Sequence, residues 1–216
     1  MKFAVVGAGA IGAYLGAKLA AAGENVALIA RGPHLRAMQE NGVRVRGADG
    51  EFIVRPTATD DTAAVGPVDV VFLALKAHSL PAMAPRLAPL LGPDTPVITG
   101  QNGIPWWYFE RHGGPWEGTR LESVDPGGAI AAAIETRRVI GCVLYCSTAI
   151  ASPGVIDHIE GNRFAIGELS GERTDRCRLI AEAFQRAGLQ CPIRTDRKST
   201  RLNSSHIQKS RMPSSA

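Results

Sequence analysis

Apolar and polar positions first follow the pattern of a β-α-β unit. A strand-like run, Lys2–Val6, is apolar after its first residue and leads into a glycine-rich turn and then into an alanine-rich stretch, residues 10–22, that ends at Gly23. The run predicts a strand covered on both faces, and the stretch predicts a helix with a glycine C-cap. A second apolar run, Asn25–Ile29, follows at the spacing expected of the next parallel strand. The chain therefore begins as strand, helix, strand.

The remaining pattern predicts a mixed sheet flanked by helices. The pattern predicts strands at 43–46, 52–54, 68–75, 96–99, 139–150, 155–159 and 163–166. The first two of these strands are predicted to form a hairpin. Helices are predicted at 33–40, 80–91 and 172–187. The apolar face of helix 172–187 is predicted to comprise Leu179, Ile180, Ala183, Phe184 and Ala187. The composition of residues 113–128 predicts a loop with one short strand. Residues 189–194 are predicted to be extended. We predict an α/β fold of the Rossmann type, with a doubly wound, mainly parallel sheet finished by antiparallel strands.

Composition narrows the class of protein. The 216 residues are 45% hydrophobic and 20% charged, which is ordinary for a soluble globular protein. No apolar run approaches the roughly eighteen residues of a membrane span, and no leader segment is recognisable, so we expect a cytoplasmic protein with no membrane partner. The four cysteines lack metal-ligand spacing, so we expect no metal site and no disulfide.

The formal net charge of +4 originates at the end of the chain. Residues 197–216 hold five of the 24 basic residues and no acid, which leaves residues 1–196 with nineteen basic and twenty acidic residues. These 196 residues contain no basic stripe with interleaved aromatic side chains, so we expect no nucleic-acid partner. The end segment has six Ser, no aromatic residue and no periodic apolar pattern, and we predict that it is disordered.

The first strand leads directly into a glycine motif that is typical of dinucleotide binding. In such a loop the first glycine allows the tight turn, the second lets the backbone approach a pyrophosphate, and the third lets the helix pack closely. The helix N-terminus adds free N–H groups and the positive end of its dipole. A turn with a purely structural role is the alternative. The predicted cofactor-binding residues of this motif are Gly7, Ala8, Gly9, Ala10, Ile11 and Gly12.

Arg31 stands where cofactor preference is commonly decided. A site that prefers NAD usually carries Asp or Glu at the end of the second strand to bind the ribose 2′-hydroxyl, and this chain reads Ile29-Ala30-Arg31-Gly32 there. A guanidinium makes paired, charge-assisted hydrogen bonds to a 2′-phosphate. The position therefore favours NADP(H), with an ordinary surface arginine as the alternative.

Two further polar residues follow the next buried strands. Lys76 comes at the end of the strand 68–75, and Asn102 comes after the strand 96–99. Ligands of doubly wound sheets bind just beyond such carboxyl ends, where a cation can meet a phosphate, a ribose or a carboxylate and an amide can donate and accept. The alternatives are a surface lysine at the start of a helix and a turn asparagine in the left-handed conformation.

Taken together, these motifs resemble the ketopantoate reductase (2-dehydropantoate 2-reductase) family. The resemblance covers about residues 1–196, and the segments that carry it are 7–12 (GAGAIG), 29–32 (IARG), 75–78 (LKAH), 101–104 (QNGI) and 158–164 (HIEGNRF). It implies hydride transfer from NADPH to the ketone of 2-dehydropantoate, a small 2-oxo acid, giving pantoate for pantothenate and coenzyme A synthesis. It further implies a phosphate loop at 7–12, a 2′-phosphate contact at Arg31, a cofactor contact at Lys76, and contacts to cofactor and substrate at Asn102.

The resemblance ends near Asp196, where the family continues into a helix that carries a lysine proposed as general acid. By continuation that lysine falls near position 204, which here is Ser204, so we assign no catalytic residue. We predict an NADP-binding domain at 1–167, a helix and linker at 168–196 leading to a truncated helical substrate domain, and a non-matching tail at 197–216. We expect a reductase that is inactive as this chain stands. An NADP-binding module without turnover, or a Rossmann oxidoreductase acting on another 2-oxo acid, are the alternatives, and a homo-oligomer stays open.

Overall fold

A computed structural model describes residues 1–48, 50–111 and 113–196, and this part of the chain forms one nine-stranded sheet. Across the sheet the strands lie in the order β4-β3-β9-β8-β7-β6-β1-β2-β5. In chain order the strands are β1 (Lys2–Val6), β2 (Asn25–Ile29), β3 (Val43–Gly47), β4 (Gly50–Val54), β5 (Thr57–Thr59), β6 (Val70–Leu73), β7 (Val97–Thr99), β8 (Val139–Ser152) and β9 (Val155–Glu168).

Helices and 3-10 turns connect these strands. The α-helices of the described residues are α1 (Ala10–Ala21), α2 (Gly32–Asn41), α3 (Thr62–Val65), α4 (Leu80–Met83), α5 (Ala129–Ala133) and α6 (Asp175–Arg186). The helix predicted at 80–91 is divided into α4 and a 3-10 segment, Ala84–Leu90. The division follows from Pro85 and Pro89, because proline lacks the N–H that an α-helix interior requires.

Six neighbouring strands form the parallel part of the sheet. β1 pairs in parallel with β2 on one side and β6 on the other, and the parallel pairing continues through β5 at one edge and through β7 and β8 towards the other. The chain starts in the middle of the sheet and winds outwards in both directions, which is the doubly wound arrangement. The predicted Rossmann-type α/β fold is therefore confirmed.

The continuous apolar character of β1 has a simple structural cause. Successive side chains of a strand point to opposite faces, and each face of this sheet is covered by its own apolar cluster. Phe3 and Val5 belong to the cluster that includes Phe184 of α6, whereas Ala4 and Val6 belong to the cluster on the other face. All four of these β1 residues have 0% exposure, which explains why the strand is apolar on both faces.

The predicted break between strands 155–159 and 163–166 is wrong. β9 runs unbroken from Val155 to Glu168, antiparallel to β8, and the pairing shifts register between Tyr145↔Arg163 and Ser147↔Glu160. Gly161 has φ +73°, and a Cβ on it would collide with the Tyr145 carbonyl oxygen. Gly161, which the sequence pattern places at a break between two strands, therefore allows a β-bulge within the single strand β9.

Several other local predictions also differ from the structure. β5, α3 and α5 are short elements that the pattern did not predict, and the described residues 113–125 contain no strand. Leu179, predicted on the apolar face of the helix 172–187, is 54% exposed on α6, while Cys177 and Ala181 are buried instead. The extended piece 189–194 adds to the sheet, because the Phe164 and Ile166 N–H groups donate to carbonyls within it.

The predicted tail at 197–216 lies outside the described residues. The division at residue 167 stays a prediction, and α6, which follows it, packs onto the same apolar cluster as β1 and β6. Within the described part of the chain, no helix is long and apolar enough to cross a membrane.

Candidate functional site

Backbone hydrogen bonds link the carboxyl ends of the parallel strands. The N–H groups of Gly7 and Ala8 donate to the Ile29 carbonyl at 3.0 and 2.9 Å, which fixes the loop after β1 against the end of β2. On the other side, the Ala74 N–H donates to the Val6 carbonyl at 2.9 Å, and the Gly100 N–H donates to the Leu73 carbonyl at 3.0 Å. The loops that follow β1, β2, β6 and β7 therefore meet at one edge of the sheet.

The glycines of the first loop have distinct geometries. Gly7 has φ +93°, which a residue with a Cβ rarely adopts, and an added Cβ would lie 2.7 Å from Leu75 Cδ2. A Cβ on Gly12 would collide with the Gly7 carbonyl oxygen, so this glycine is needed for the helix to start close to the turn. A Cβ on Gly9 would meet nothing within 4 Å, because this backbone borders open space. The loop therefore leaves its backbone accessible to a ligand at Gly9.

Helix α1 begins at this loop with unpaired amides. Gly9 is its N-cap residue and provides no side-chain cap, and the first turn contains no acidic residue. The Ala13 N–H donates to the Gly9 carbonyl at 2.8 Å, so the N–H groups before it have no acceptor within the helix. These amides, with the positive end of the helix dipole, provide a binding position for an anion.

A cleft of about 930 Å³ brings together nearly all the predicted site residues. It is lined by residues from the loops after β1, β2, β5, β6 and β7. Gly12 is buried behind the loop and does not line it. The predicted residues that line the cleft are Gly7, Ala8, Gly9, Ala10, Ile11, Arg31, Lys76 and Asn102.

Arg31 and Lys76 present two exposed cations to this cleft. Arg31 is the N-cap of α2 with an extended backbone, and Lys76 is the N-cap of the 3-10 turn Ala77–Ser79, whose Ser79 N–H donates to the Lys76 carbonyl. Within the described residues, neither side chain forms a hydrogen bond or an ion pair. Their charges are therefore available to a ligand.

Asn102 lies on a loop that a neighbouring amide fixes. The Gln101 side chain donates from Nε2 to the Leu75 carbonyl at 3.2 Å, joining the loop after β7 to the loop after β6. The positive φ of this turn belongs to Gly103, at +97°, and not to Asn102. The alternative of a left-handed turn asparagine is therefore wrong, and the exposed Asn102 amide lies in the same cleft as Lys76.

Sequence reasoning missed His34, which also lines the cleft. Its Nδ1 accepts a hydrogen bond from the Gly154 N–H at 3.0 Å, so the neutral ring carries its proton on Nε2. That Nε2 is buried and has no hydrogen-bond partner within the described residues. Burial lowers the pKa of His34 below its ordinary 6.5, against a smaller opposing effect of the Ala8 carbonyl. The only signal in the sequence is its place three residues after Arg31.

Arg86 and Asp60 are two further charged residues of the cleft that the sequence did not indicate. Arg86 Nη2 donates to the Asp60 carbonyl at 2.7 Å, and the Thr62 hydroxyl donates to the Arg86 carbonyl at 2.6 Å. Asp60 lies between β5 and α3, and Arg86 lies in the 3-10 segment Ala84–Leu90. The sequence pattern did not predict β5, α3 or this 3-10 segment. Arg86 and Asp60 reach the cleft because these segments pack against one another. A local sequence pattern does not predict such packing.

An aromatic cluster, residues 106–109, follows Asn102 closely along the chain. Trp106 and Trp107 are 5% and 2% exposed and belong to the apolar cluster that also contains Leu80 and Ile130. The two rings meet edge to face at 6.4 Å. They anchor the loop that carries Asn102 to the body of the protein.

Comparison with known proteins identifies relatives of this chain. Residues 3–106 match the family described as Ketopantoate reductase PanE/ApbA. The chain is 53% identical over 201 residues to a 2-dehydropantoate 2-reductase of Mesorhizobium japonicum, covering 92% of this chain and 61% of that relative. The chain thus spans less than two thirds of this relative's length.

Two crystal structures show the same architecture. A candidate ketopantoate reductase from Ralstonia solanacearum MolK2 matches with a TM-score of 0.85 and 47% identity, over 89% of this chain and 60% of that one. A 2-dehydropantoate 2-reductase from Geobacter metallireducens matches with a TM-score of 0.76 and 29% identity, over 93% of this chain and 60% of that one.

Proposed function

We propose that this chain binds NADPH for the reduction of a small 2-oxo acid, because its residues 3–106 match the family described as Ketopantoate reductase PanE/ApbA. The name of the Mesorhizobium relative supports 2-dehydropantoate as that substrate and pantoate as the product. The observation that carries the proposal is the convergence of a glycine loop, a helix N-terminus, Arg31, Lys76 and Asn102 in one cleft of about 930 Å³.

The loop after β1 suits a pyrophosphate. The space beside Gly9 lets phosphate oxygens approach the backbone, and the first amides of α1 have no competing acidic side chain. Backbone N–H donors at a helix N-terminus bind phosphate without a lysine or arginine. We assign residues 7–11 to direct contact with the cofactor, and we assign Gly12 to the close packing that shapes the loop.

Arg31 supports NADPH as the preferred coenzyme. It is exposed, it follows β2, and it has no ion-pair partner within the described residues. The guanidinium binds a 2′-phosphate through paired, charge-assisted hydrogen bonds, and the end of β2 has no carboxylate to bind the free ribose hydroxyl of NADH.

The positions of Lys76 and Asn102 support contacts of these two residues with the cofactor and the substrate. Both lie at the ends of β6 and β7, joined by the Gln101 contact to the Leu75 carbonyl. We assign Lys76 to a negatively charged or hydroxyl oxygen of the cofactor, and Asn102 to the cofactor and the substrate. When bound, NADPH supplies the hydride, and the proton must come from another group. The position that the family resemblance assigns to that acid, Ser204, lies outside the described residues.

Binding of the two coenzymes is the direct test. Fluorescence titration should show tighter binding of NADPH than NADH, and Arg31→Asp should weaken NADPH with much less effect on NADH. Arg36→Met is the matched control, because Arg36 is exposed on α2 but does not line the cleft. A folded protein that binds neither coenzyme at millimolar concentration would refute the proposal.

The substrate is tested separately. NADPH oxidation should be followed by absorbance after addition of 2-dehydropantoate, with another 2-oxo acid of similar size as the comparison. Oxidation that depends on 2-dehydropantoate supports the substrate assignment. Oxidation that occurs only with the other acid contradicts it, while leaving the assignment of the coenzyme intact.

A further inference from the structure

A charged residue follows the end of each of the neighbouring strands β2 and β5. The Ala30 N–H donates to the Thr59 carbonyl at 3.0 Å, continuing the parallel pairing of Ile29 with Thr59. Arg31 follows Ala30 and Asp60 follows Thr59, and both charged residues line the cleft. Arg31 and the backbone of Asp60 therefore lie at the same edge of the sheet.

Arg86 is held at this same edge by two hydrogen bonds. Its guanidinium donates from Nη2 to the Asp60 carbonyl at 2.7 Å, and its own carbonyl accepts from the hydroxyl of Thr62, which is 4% exposed. One contact fixes the backbone and the other fixes the head of the side chain. The Asp60 carbonyl uses one N–H of the guanidinium, and within the described residues the remaining donors have no partner, so they can bind a ligand.

The two guanidinium groups are not paired with a carboxylate within the described part of the chain. Arg31 and Arg86 are both exposed, and within the described residues neither forms an ion pair, nor does the carboxylate of Asp60. A doubly charged anion bound at this edge of the cleft can interact favourably with both cations. A phosphate monoester carries close to two negative charges at neutral pH and has three acceptor oxygens for two arginine forks.

We infer that Arg86 is a second specificity-determining residue, which binds the 2′-phosphate of NADPH together with Arg31. This inference rests on the proposed function and extends it. The pyrophosphate has its own binding position at the N-terminus of α1, whereas the end of β2 is where a dinucleotide's adenosine ribose is bound. Arg86 reaches that ribose position through its contact with Asp60, and so it acts on the phosphate that distinguishes NADPH from NADH.

The test compares ligands that differ only in this phosphate. Dissociation constants of the full chain are measured by calorimetry for NADPH, NADH, adenosine 2′,5′-bisphosphate and adenosine 5′-monophosphate. Arg86→Met keeps the apolar stem and removes the charged fork, while Arg86→Lys keeps the charge without the fork. Arg36→Met is the control for a lost arginine charge on the nearby surface, and thermal melts verify folding of each variant.

The expected result is a selective loss. Arg86→Met should weaken NADPH and the bisphosphate about ten- to a hundredfold, as for loss of a charge-assisted hydrogen bond, and change NADH and the monophosphate less than about twofold. Arg86→Lys should show a smaller loss of the same selectivity, and it carries the test if the methionine variant does not fold. The double variant Arg31→Met, Arg86→Met should bind NADPH and NADH equally.

Equal weakening of all four ligands by Arg86→Met would overturn the inference, because it would indicate stacking on the adenine or a general change of the cleft. Unchanged binding of all four would overturn it as well. If wild type and Arg36→Met prefer NADPH and Arg31→Asp loses that preference while Arg86→Met retains it, the proposed function stands and this inference fails. If wild type binds no nicotinamide coenzyme, both fail.

Discussion

The carboxylate of Glu168 is bound by the guanidinium of Arg176, whose Nε and Nη2 lie 2.7 and 2.6 Å from its two oxygens. Glu168 is the last residue of β9 and is 5% exposed, and the hydroxyl of Thr174, the N-cap of α6, also donates to it at 2.6 Å. The ion pair thus joins the end of the sheet to the start of the last described helix. A buried carboxylate with three such donors is expected to contribute to stability only while it is ionised.

The first prediction concerns pH. Burial by itself would raise the pKa of Glu168, but the hydrogen bonds from Arg176 and Thr174 outweigh it and lower the pKa below the ordinary 4.5. A carboxyl with a lowered pKa in the folded state binds fewer protons than in the unfolded state, so its contribution is complete above 4.5 and is lost as the pH falls through the folded pKa. Chemical denaturation across this range should show the free energy of unfolding falling towards acid.

Replacement of the carboxylate checks the cause of that pH dependence. Glu168→Gln should lower the free energy of unfolding at neutral pH by about 1–3 kcal/mol, because Arg176 loses its charged partner. The same variant should flatten the acid dependence. Glu51→Gln removes the carboxylate of an exposed pair with Arg44 and should change neither quantity appreciably. An unchanged acid slope in Glu168→Gln would contradict the assignment.

The second prediction separates folding from binding within the glycine loop. Gly12→Ala should destabilise the protein by about 1–3 kcal/mol, because its Cβ collides with the Gly7 carbonyl and the backbone must move. Gly9→Ala should leave the melting temperature unchanged, since a Cβ there meets nothing within 4 Å, yet it should weaken NADPH by occupying the space proposed for the pyrophosphate. Melting curves and coenzyme titrations on both variants measure the two effects. A Gly9→Ala protein that binds NADPH normally would move the pyrophosphate away from this loop.

The third prediction concerns His34 and the turn after β8. His34→Ala removes the acceptor for the Gly154 N–H and should cost about 1 kcal/mol, whereas His34→Asn provides an amide oxygen near the Nδ1 position and should recover part of it. Because burial lowers the pKa of His34, its contribution is complete above the ordinary 6.5 and declines as the pH falls below it. Denaturation of the wild type and both variants above and below this pH tests both statements. His78→Asn, at an exposed position, serves as the control.

The fourth prediction distinguishes Lys76 from the arginines. Lys76 lies at the end of β6 rather than at the ends of β2 and β5, so its charge should act on parts that NADPH and NADH share. Lys76→Met should therefore weaken both coenzymes by the same factor, about tenfold for one charge-assisted contact. Titration of both coenzymes measures that factor. A loss restricted to NADPH would place Lys76 at the 2′-phosphate instead.

The central parallel strands β1, β2, β6 and β7 could be predicted from the sequence alone. In β1 every residue from Phe3 to Val6 is apolar because both faces are covered, and in the loop after it the glycines sit where the turn and the helix start require them. These constraints act between residues close in the chain, so their pattern is visible without coordinates. The same applies to Arg31, Lys76 and Asn102, each of which comes two or three residues after the end of a strand that the sequence predicts.

The contacts that these strands and loops make with distant segments follow from tertiary packing and could not be predicted from the sequence. Gly161 predicted a strand end and forms a bulge because β8 continues opposite it, and Leu179 is exposed because the sheet contacts a different stripe of α6. Arg86 and His34 reach the cleft through the Asp60 carbonyl and the Gly154 amide, partners that lie 26 and 120 residues away in the chain. Such contacts depend on how separate segments pack, and hydrophobic periodicity carries no information about that.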